Sequence, residues 1–170
     1  MTALKTLIFM AIAPGSVAGW IPLILLSSPG ARGSTPLGNL GYVGIAAILC
    51  GVLITLWCAW DFTFSGKGTP APFDPPKKLV VRGLYKYVRN PMYVGVLSLV
   101  LGEALWFESR VLFLYLALVF FVFFAFVIFY EEPVLERKFG DSYRAYTKTV
   151  PRWLPRISKP ESDRHSIRSS

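Results

Sequence analysis

The residues of this chain best suited to chemistry fall in two short stretches, Arg89-Asn90-Pro91-Met92-Tyr93 and Glu131-Glu132. Asn is a preferred N-cap and Pro is favoured at the first helical position, so Asn90-Pro91 predicts a helix start. The first N–H groups of such a helix, with its dipole, form a local anion site, and Arg89 stands beside it. Tyr93 follows in the first turn, and Gly95 leaves the helix face open to something bulky. Two adjacent carboxylates at a helix C-terminus repel each other and oppose the dipole, so Glu131 and Glu132 require cations. Arg82, Arg89, Arg137 or Lys138 would supply them in a plain ion-pair cluster. A ligand bearing an ammonium or hydroxyl groups for the glutamates, and a carboxylate for the arginine and helix start, is the functional alternative.

Other chemistries lack their residues. His165, the single histidine, lies in a polar tail, so a His-based triad, an HExxH site and paired-histidine ligation are all missing. Neither a Walker-type loop nor a GxGxxG loop occurs, and Cys50 and Cys58 share one apolar run as core or lipid-facing residues. An enzyme built on this chain works with Glu, Asp, Arg, Asn, Tyr and backbone groups, without a metal.

The elements that must position these residues are apolar. The chain has 170 residues, 54% hydrophobic and only 16% charged, with a mean hydropathy of +0.49. So small a globule buries too little surface to hide that excess. Four runs stand out: Leu4–Leu26, Gly38–Trp60, Pro91–Phe107 and Val111–Phe129. The first outlasts a signal peptide's apolar core and reads as a span, kinked at Pro14, whose freed carbonyl a neighbouring helix must cover. The second ends in Trp57, Trp60 and Phe62, an interfacial aromatic belt. Only Glu108, Ser109 and Arg110 separate the last two, so these form a tight antiparallel hairpin that returns Glu131 and Glu132 to the level of Arg89. Beyond it, Leu135, Phe139, Tyr143, Tyr146 and Val150 recur at helical spacing around Gly140, which suits an amphipathic helix on the membrane surface. The expected fold is an all-α integral membrane protein. It has four transmembrane helices and a C-terminal amphipathic cytoplasmic helix. Its parts are helices one and two (1–60), a loop (61–90) with a proline-rich stretch Ser65–Pro76, the hairpin and amphipathic segment (91–157), and a disordered tail (158–170).

Lysine and arginine orient the bundle. Arg32 and Arg110 lie in the two short loops on one side. The remaining 16 of 18 basic residues lie in the first segment, in the 61–90 loop (Lys67, Lys77, Lys78, Arg82, Lys86, Arg89), and after Tyr130. The positive-inside rule then puts both termini and the 61–90 loop in the cytoplasm. The net charge of +8 calls for anionic headgroups and an anionic or nucleotide-like ligand, not nucleic acid. Glu103, inside the third run, is either functional or snorkelled to the outer interface.

The ligand chemistry at Arg89 and the glutamates matches S-adenosylmethionine, which combines a zwitterionic amino acid end, a ribose diol, an adenine and a sulfonium. The ordered string Gly83-Leu-Tyr85-x-Tyr87-x-Arg89-Asn90-Pro91-Met-Tyr93-x-Gly95, then Glu131-Glu132-x-x-Leu135-x-x-x-Phe139-Gly140-x-x-Tyr143-x-x-Tyr146, resembles the isoprenylcysteine carboxyl methyltransferase and phospholipid methyltransferase superfamily. The resemblance covers roughly Leu79 to Pro155. It implies a membrane-embedded methyltransferase that binds S-adenosylmethionine at the cytoplasmic ends of its last two spans. It further implies Arg89, Asn90 and Glu132 as catalytic residues. The implied cofactor-binding set is Leu79, Val81, Gly83, Tyr85, Arg89, Asn90, Pro91, Tyr93, Gly95, Glu131 and Glu132. The family's Arg-His-Pro-x-Tyr pattern has Asn90 in place of its histidine, which still donates a hydrogen bond but does not titrate near neutrality.

Methyl transfer from a sulfonium is an in-line displacement that needs alignment and water exclusion more than a covalent intermediate. The acceptor is expected to be amphiphilic and to arrive from the inner leaflet between helices, with the phenylalanine-rich fourth run as a wall. A prenylated cysteine carboxylate, a phospholipid amine and a small lipophilic thiol or amine all remain open. So do a non-enzymatic scaffold or transporter subunit and an NADPH-dependent membrane reductase.

Overall fold

A computed structural model describes residues 2–33, 39–61, 79 and 81–155. The stretch Ser65–Pro76, the cations Lys67, Lys77 and Lys78, Phe62, His165 and the expected tail at 158–170 lie outside the described residues. Among the described residues the fold is entirely helical.

The first span is α1 (Thr2–Gly15), a π-helical turn (Ser16–Trp20) and α2 (Ile21–Leu26) in one continuous rod. In the π turn the Ile21 N–H bonds the Ser16 carbonyl, five residues back. The same register assigns the Val17 carbonyl to Pro22, which has no N–H to give. The hydroxyl of Tyr115, on the fourth span, donates to Val17 instead at 2.8 Å. A neighbouring helix thus covers a freed carbonyl as expected, at Val17 because of Pro22 and not on account of Pro14.

Helix α3 (Asn39–Asp61) runs antiparallel to α4 (Pro91–Trp106) at very short range. A Cβ on Gly51 would lie 2.6 Å from the Gly95 carbonyl oxygen, and one on Gly102 would lie 2.6 Å from that of Gly44. Gly44 and Gly51 on α3, like Gly95 and Gly102 on α4, are seven residues apart, two helical turns, so each helix carries its two glycines on one face. Small residues at such a seam are what allow helix backbones to touch without a hydrophobic driving force in lipid. The face at Gly95 is therefore filled by α3, with a would-be Cβ 2.5 Å from Thr55 Oγ1, and is not open to a ligand.

At 16 residues α4 is about 24 Å long, shorter than the ~30 Å hydrocarbon core, and Val96, Val100, Gly102 and Ala104 are buried by its neighbours. The three longer apolar helical stretches, Ile8–Leu26, Leu40–Asp61 and Arg110–Phe139, are long enough to cross a membrane. Outward-facing Leu114, Leu118, Phe121 and Phe129 are 60–80% exposed, an apolar exterior that requires lipid. Ser109 closes the expected hairpin: its N–H bonds the Ala104 carbonyl at 3.0 Å, and its hydroxyl accepts from Leu112 at the start of α5 (Arg110–Phe126).

The fourth span does not end near Phe129. It passes through a second π turn (Val127–Glu131) straight into α6 (Glu132–Phe139). Both π turns stop two residues before a proline, Pro22 and Pro133. A widened turn relieves the clash a proline ring makes with the carbonyl one turn earlier, so the rod bulges where it would otherwise kink. The expected amphipathic helix is in two parts. The first, α6, extends the span. Gly140 (φ +52°) then redirects the chain into α7 (Asp141–Thr149), where Tyr143, Tyr146 and Val150 bury themselves against Leu79, Leu135 and Phe139.

Candidate functional site

Helix α4 begins at Pro91 as its sequence predicts, but Asn90 does not cap it. Its side-chain amide donates instead to the Arg152 carbonyl at 3.3 Å. The backbone N–H groups of Arg89 and Asn90 bond the carbonyls of Pro151 (2.9 Å) and Arg152 (3.2 Å). A strap of residues 150–155 thus lies across the start of α4 and bonds the two backbone N–H groups that precede it.

The π turn sets the phase at which Glu131 and Glu132 leave the fourth span. They stand within a helix that continues to Phe139, so the expected opposition of a helix C-terminus does not arise. Glu131 Oε2 accepts from the Tyr93 hydroxyl at 2.8 Å. Glu132 Oε1 accepts from Arg89 Nη1 at 3.0 Å. Arg152 grips the same carboxylate with both ends of its fork, Nε to Oε1 at 2.7 Å and Nη2 to Oε2 at 2.9 Å. Such bidentate pairs are among the stronger charge-assisted bonds. The Arg89 and Glu132 side chains are only 10% and 17% exposed, so the pair is largely sheltered from water. Of the cations expected for the glutamates, Arg89 bonds Glu132. Arg82 pairs with Asp61 at 3.4 Å, and Arg137 donates to the Pro133 carbonyl.

Tyr143 lies within hydrogen-bonding reach of Arg89. Burial, then the charge of Glu132, push its hydroxyl up to about 12, while the Arg89 guanidinium pulls the other way. It is therefore a neutral donor at any physiological pH. Arg89 Nε is buried with no hydrogen-bond partner, an uncommon state for a charged group and one that a ligand oxygen would relieve.

A second layer holds this cluster. Gly83 has φ +54°, and a Cβ there would lie 2.3 Å from Asp61 Oδ2. Asp61, buried at the end of α3, also accepts from Trp57 Nε1 at 3.1 Å. The 3-10 turn Gly83–Lys86 is thereby pinned to α3, with Tyr85 buried beside Cys58. Tyr146 of α7 donates to the Tyr85 carbonyl at 2.6 Å, which ties the turn to the C-terminal segment.

Of the residues singled out from sequence, the structure brings together Arg89, Asn90, Pro91, Tyr93, Glu131 and Glu132. Gly83 and Tyr85 lie in the supporting turn, Gly95 in the α3 seam, and Leu79 in the tyrosine cluster. Val81 is exposed. Glu103 is twelve residues along α4 from Pro91, about 18 Å away, and belongs to another region. Sequence reasoning missed Arg152, Trp153 and Asp61. A basic-aromatic pair between Pro151 and Pro155, just after the amphipathic segment, was the available signal for the first two.

A family model described as phospholipid methyltransferase matches residues 40–142. The chain is 43% identical over 79 residues to a "Protein-S-isoprenylcysteine O-methyltransferase" of Schizosaccharomyces pombe, across 46% of this chain and 34% of that protein. It is 35% identical over 81 residues to a "Protein-S-isoprenylcysteine O-methyltransferase B" of Arabidopsis thaliana, across 48% and 41% respectively. An uncharacterized protein of Haemophilus influenzae is 40% identical over 63 residues, its whole length and 37% of this chain. The chain thus spans between a third and a half of the two relatives named as methyltransferases.

Proposed function

The chain belongs to the phospholipid methyltransferase family, and on that premise we propose that it is a membrane methyltransferase using S-adenosylmethionine on a lipophilic or amphiphilic acceptor. The observation that carries the reading is the convergence of Arg89, Tyr93, Glu131 and Glu132 where α4 begins and the fourth span ends its apolar stretch. The residues suit the cofactor. Arg89 has a buried donor to spare, and with Arg152 it suits a carboxylate. Glu131 and Glu132 suit an ammonium or a ribose diol, and Asn90 and Tyr143 add neutral donors. When bound, the cofactor would supply an electrophilic methyl, with its sulfonium sulfur as the leaving group.

The chain's own part is binding, orientation and exclusion of water. Arg89 and Glu132, each held by more than one bonding partner, have little freedom to drift, and fixed geometry is what an in-line displacement needs. Asn90 joins α4 to the strap and so holds Arg152 over the glutamates. The strap and α7 cover the cluster on its watery side. Arg89, Asn90 and Glu132 act in these roles, with Leu79, Val81, Gly83, Tyr85, Pro91 and Gly95 shaping the surroundings. By the distribution of basic residues the site and both termini face the cytoplasm, and residues 61–157 carry it while the first two spans anchor it.

The test is calorimetry on the solubilised chain with S-adenosylhomocysteine and with NADPH, followed by labelled methyl transfer into total membrane lipids and soluble metabolites. Binding of S-adenosylhomocysteine alone supports the proposal. Binding of NADPH supports a reductase, and binding of neither supports a scaffold or transporter subunit.

A further inference from the structure

Arg152 is held in two contrasting ways. Its carbonyl accepts from the backbone N–H of Asn90 at 3.2 Å and from the Asn90 side-chain amide at 3.3 Å. The preceding carbonyl, that of Pro151, accepts from the Arg89 N–H at 2.9 Å, so the backbone here is tied to the start of α4. The side chain is far less enclosed, at 41% exposed against 10% for that of Arg89. Its guanidinium nevertheless makes two of the three bonds that Glu132 accepts, Nε to Oε1 at 2.7 Å and Nη2 to Oε2 at 2.9 Å. A carboxylate has about four lone-pair sites, so these bonds leave about one for a ligand, whereas an ammonium brings about three donors. In the empty site, then, Glu132 is already saturated by a cation of the chain itself.

A sheltered carboxylate stripped of its cation is costly, so Arg152 can leave Glu132 only if another cation takes its place. We infer that Arg152 is an exchangeable counter-ion: its guanidinium stands where a ligand's ammonium binds Glu132, and on binding it swings out to take the ligand's carboxylate. Only the side chain has to move, since Asn90 keeps the strap on α4. An amino acid end carries both charges on one carbon, so the group that displaces the guanidinium brings it a new partner within reach. Arg89 Nε, buried and without a partner, is a second donor for that carboxylate. A ligand with the ammonium alone leaves Arg152 unpaired, and one with neither charge leaves it on Glu132. Arg152 thus makes the site selective for a zwitterion, while Arg89 is the fixed cation. The proposal rests on the methyltransferase reading and adds a residue that decides which ligands the site admits.

The test is calorimetry on the full chain in detergent with three ligands, and it needs no turnover. S-adenosylhomocysteine carries both charges, its decarboxylated analogue keeps the ammonium alone, and methylthioadenosine has neither. In Arg152→Gln the decarboxylated analogue should bind about tenfold tighter, because no guanidinium has to be displaced. Methylthioadenosine should be unchanged. S-adenosylhomocysteine should move less than the analogue, since the lost competitor and the lost carboxylate contact offset each other, and the preference for the zwitterion should narrow. Arg152→Lys keeps the charge without the fork; it covers the case in which the glutamine variant does not fold, and should show the same changes in smaller measure. An analogue that binds variant and wild type alike would overturn the exchange. So would equal shifts for all three ligands, which would mean that Arg152 only props the pocket. If S-adenosylhomocysteine binds the wild type while the analogue is indifferent to Arg152→Gln, the exchange alone is refuted. If none of the three binds the wild type, the cofactor reading fails and the exchange falls with it.

Discussion

Replacing Glu132 by Gln tests the centre of the cluster with almost no change of shape. The carboxylate accepts three bonds of 2.7–3.0 Å, one from Arg89 and two from Arg152. An amide keeps one acceptor and turns an NH2 group toward a guanidinium. The two arginines do not suffer equally. Arg152 is 41% exposed and is able to turn into water, so its loss counts as that of a surface pair, about 0–1 kcal/mol. Arg89 is 10% exposed and has no such escape, so its charge-assisted bond counts at about 1.5–3 kcal/mol. Folding stability should therefore fall by about 1.5–4 kcal/mol. If Glu132 also holds the cofactor, loss of one charged contact weakens S-adenosylhomocysteine about 10- to 100-fold. The two readouts are thermal unfolding in detergent and calorimetric affinity below the melting range. A variant that melts earlier yet binds S-adenosylhomocysteine with wild-type affinity would show that Glu132 is only an ion-pair partner, and the proposed site would be wrong.

Three further outcomes follow from the same structure. Gly51→Ala puts a methyl against the Gly95 backbone, which has no side chain to swing aside, and should cost about 1–3 kcal/mol in thermal unfolding; an unshifted melting curve would refute the close α3–α4 seam. Reporter fusions at Ser34 and Ser109 should be non-cytoplasmic and those at Lys67 and Ser158 cytoplasmic, since a four-span topology assigns 16 of the 18 basic residues to one side; one inverted reporter would remove the site from the proposed cofactor's compartment. The Tyr143 hydroxyl titrates at about 12 when folded against a usual 10, so the folded state keeps that proton longer. Its stabilising contribution is whole below pH 10 and is lost as the pH rises toward 12. Stability of Tyr143→Phe should decline less steeply than the wild type over that window, and identical slopes would contradict the assignment.

How far the sequence was legible depended on whether the relevant force was local. Asn90-Pro91 as a helix start, the hairpin at Ser109 and the approach of Arg89 to the glutamates all follow from local rules of capping, turn length and helix rise. The course of the fourth span did not. Two charged residues followed by Pro133 look like a helix end, because proline's lost N–H is visible in sequence while the widened turn that absorbs it is not. Gly95 was ambiguous in kind. A glycine on a helix makes space, and only tertiary packing decided that α3 takes it. Arg152 was hidden for the same reason: its partner is 20 residues away, brought near by the bend at Gly140 and the tyrosine cluster. Asn90 kept its polar role but exchanged a helix end for the strap.

The π turn at Val127–Glu131 works as a gear tooth between membrane and site. An α-helical residue advances the azimuth by about 100°, and the π turn takes up one extra residue, so the same residues wound as regular α-helix would rotate all that follows by about that angle. Such a rewinding leaves the span's hydropathy and every site residue intact, and removes only the phase relation between α5 and α6. Glu132, α7 and the strap would then swing away from Arg89 together. A chain of this family with an unchanged motif but a regular α-helix from Phe126 to Pro133 would insert normally and hold its charges in the wrong quadrant.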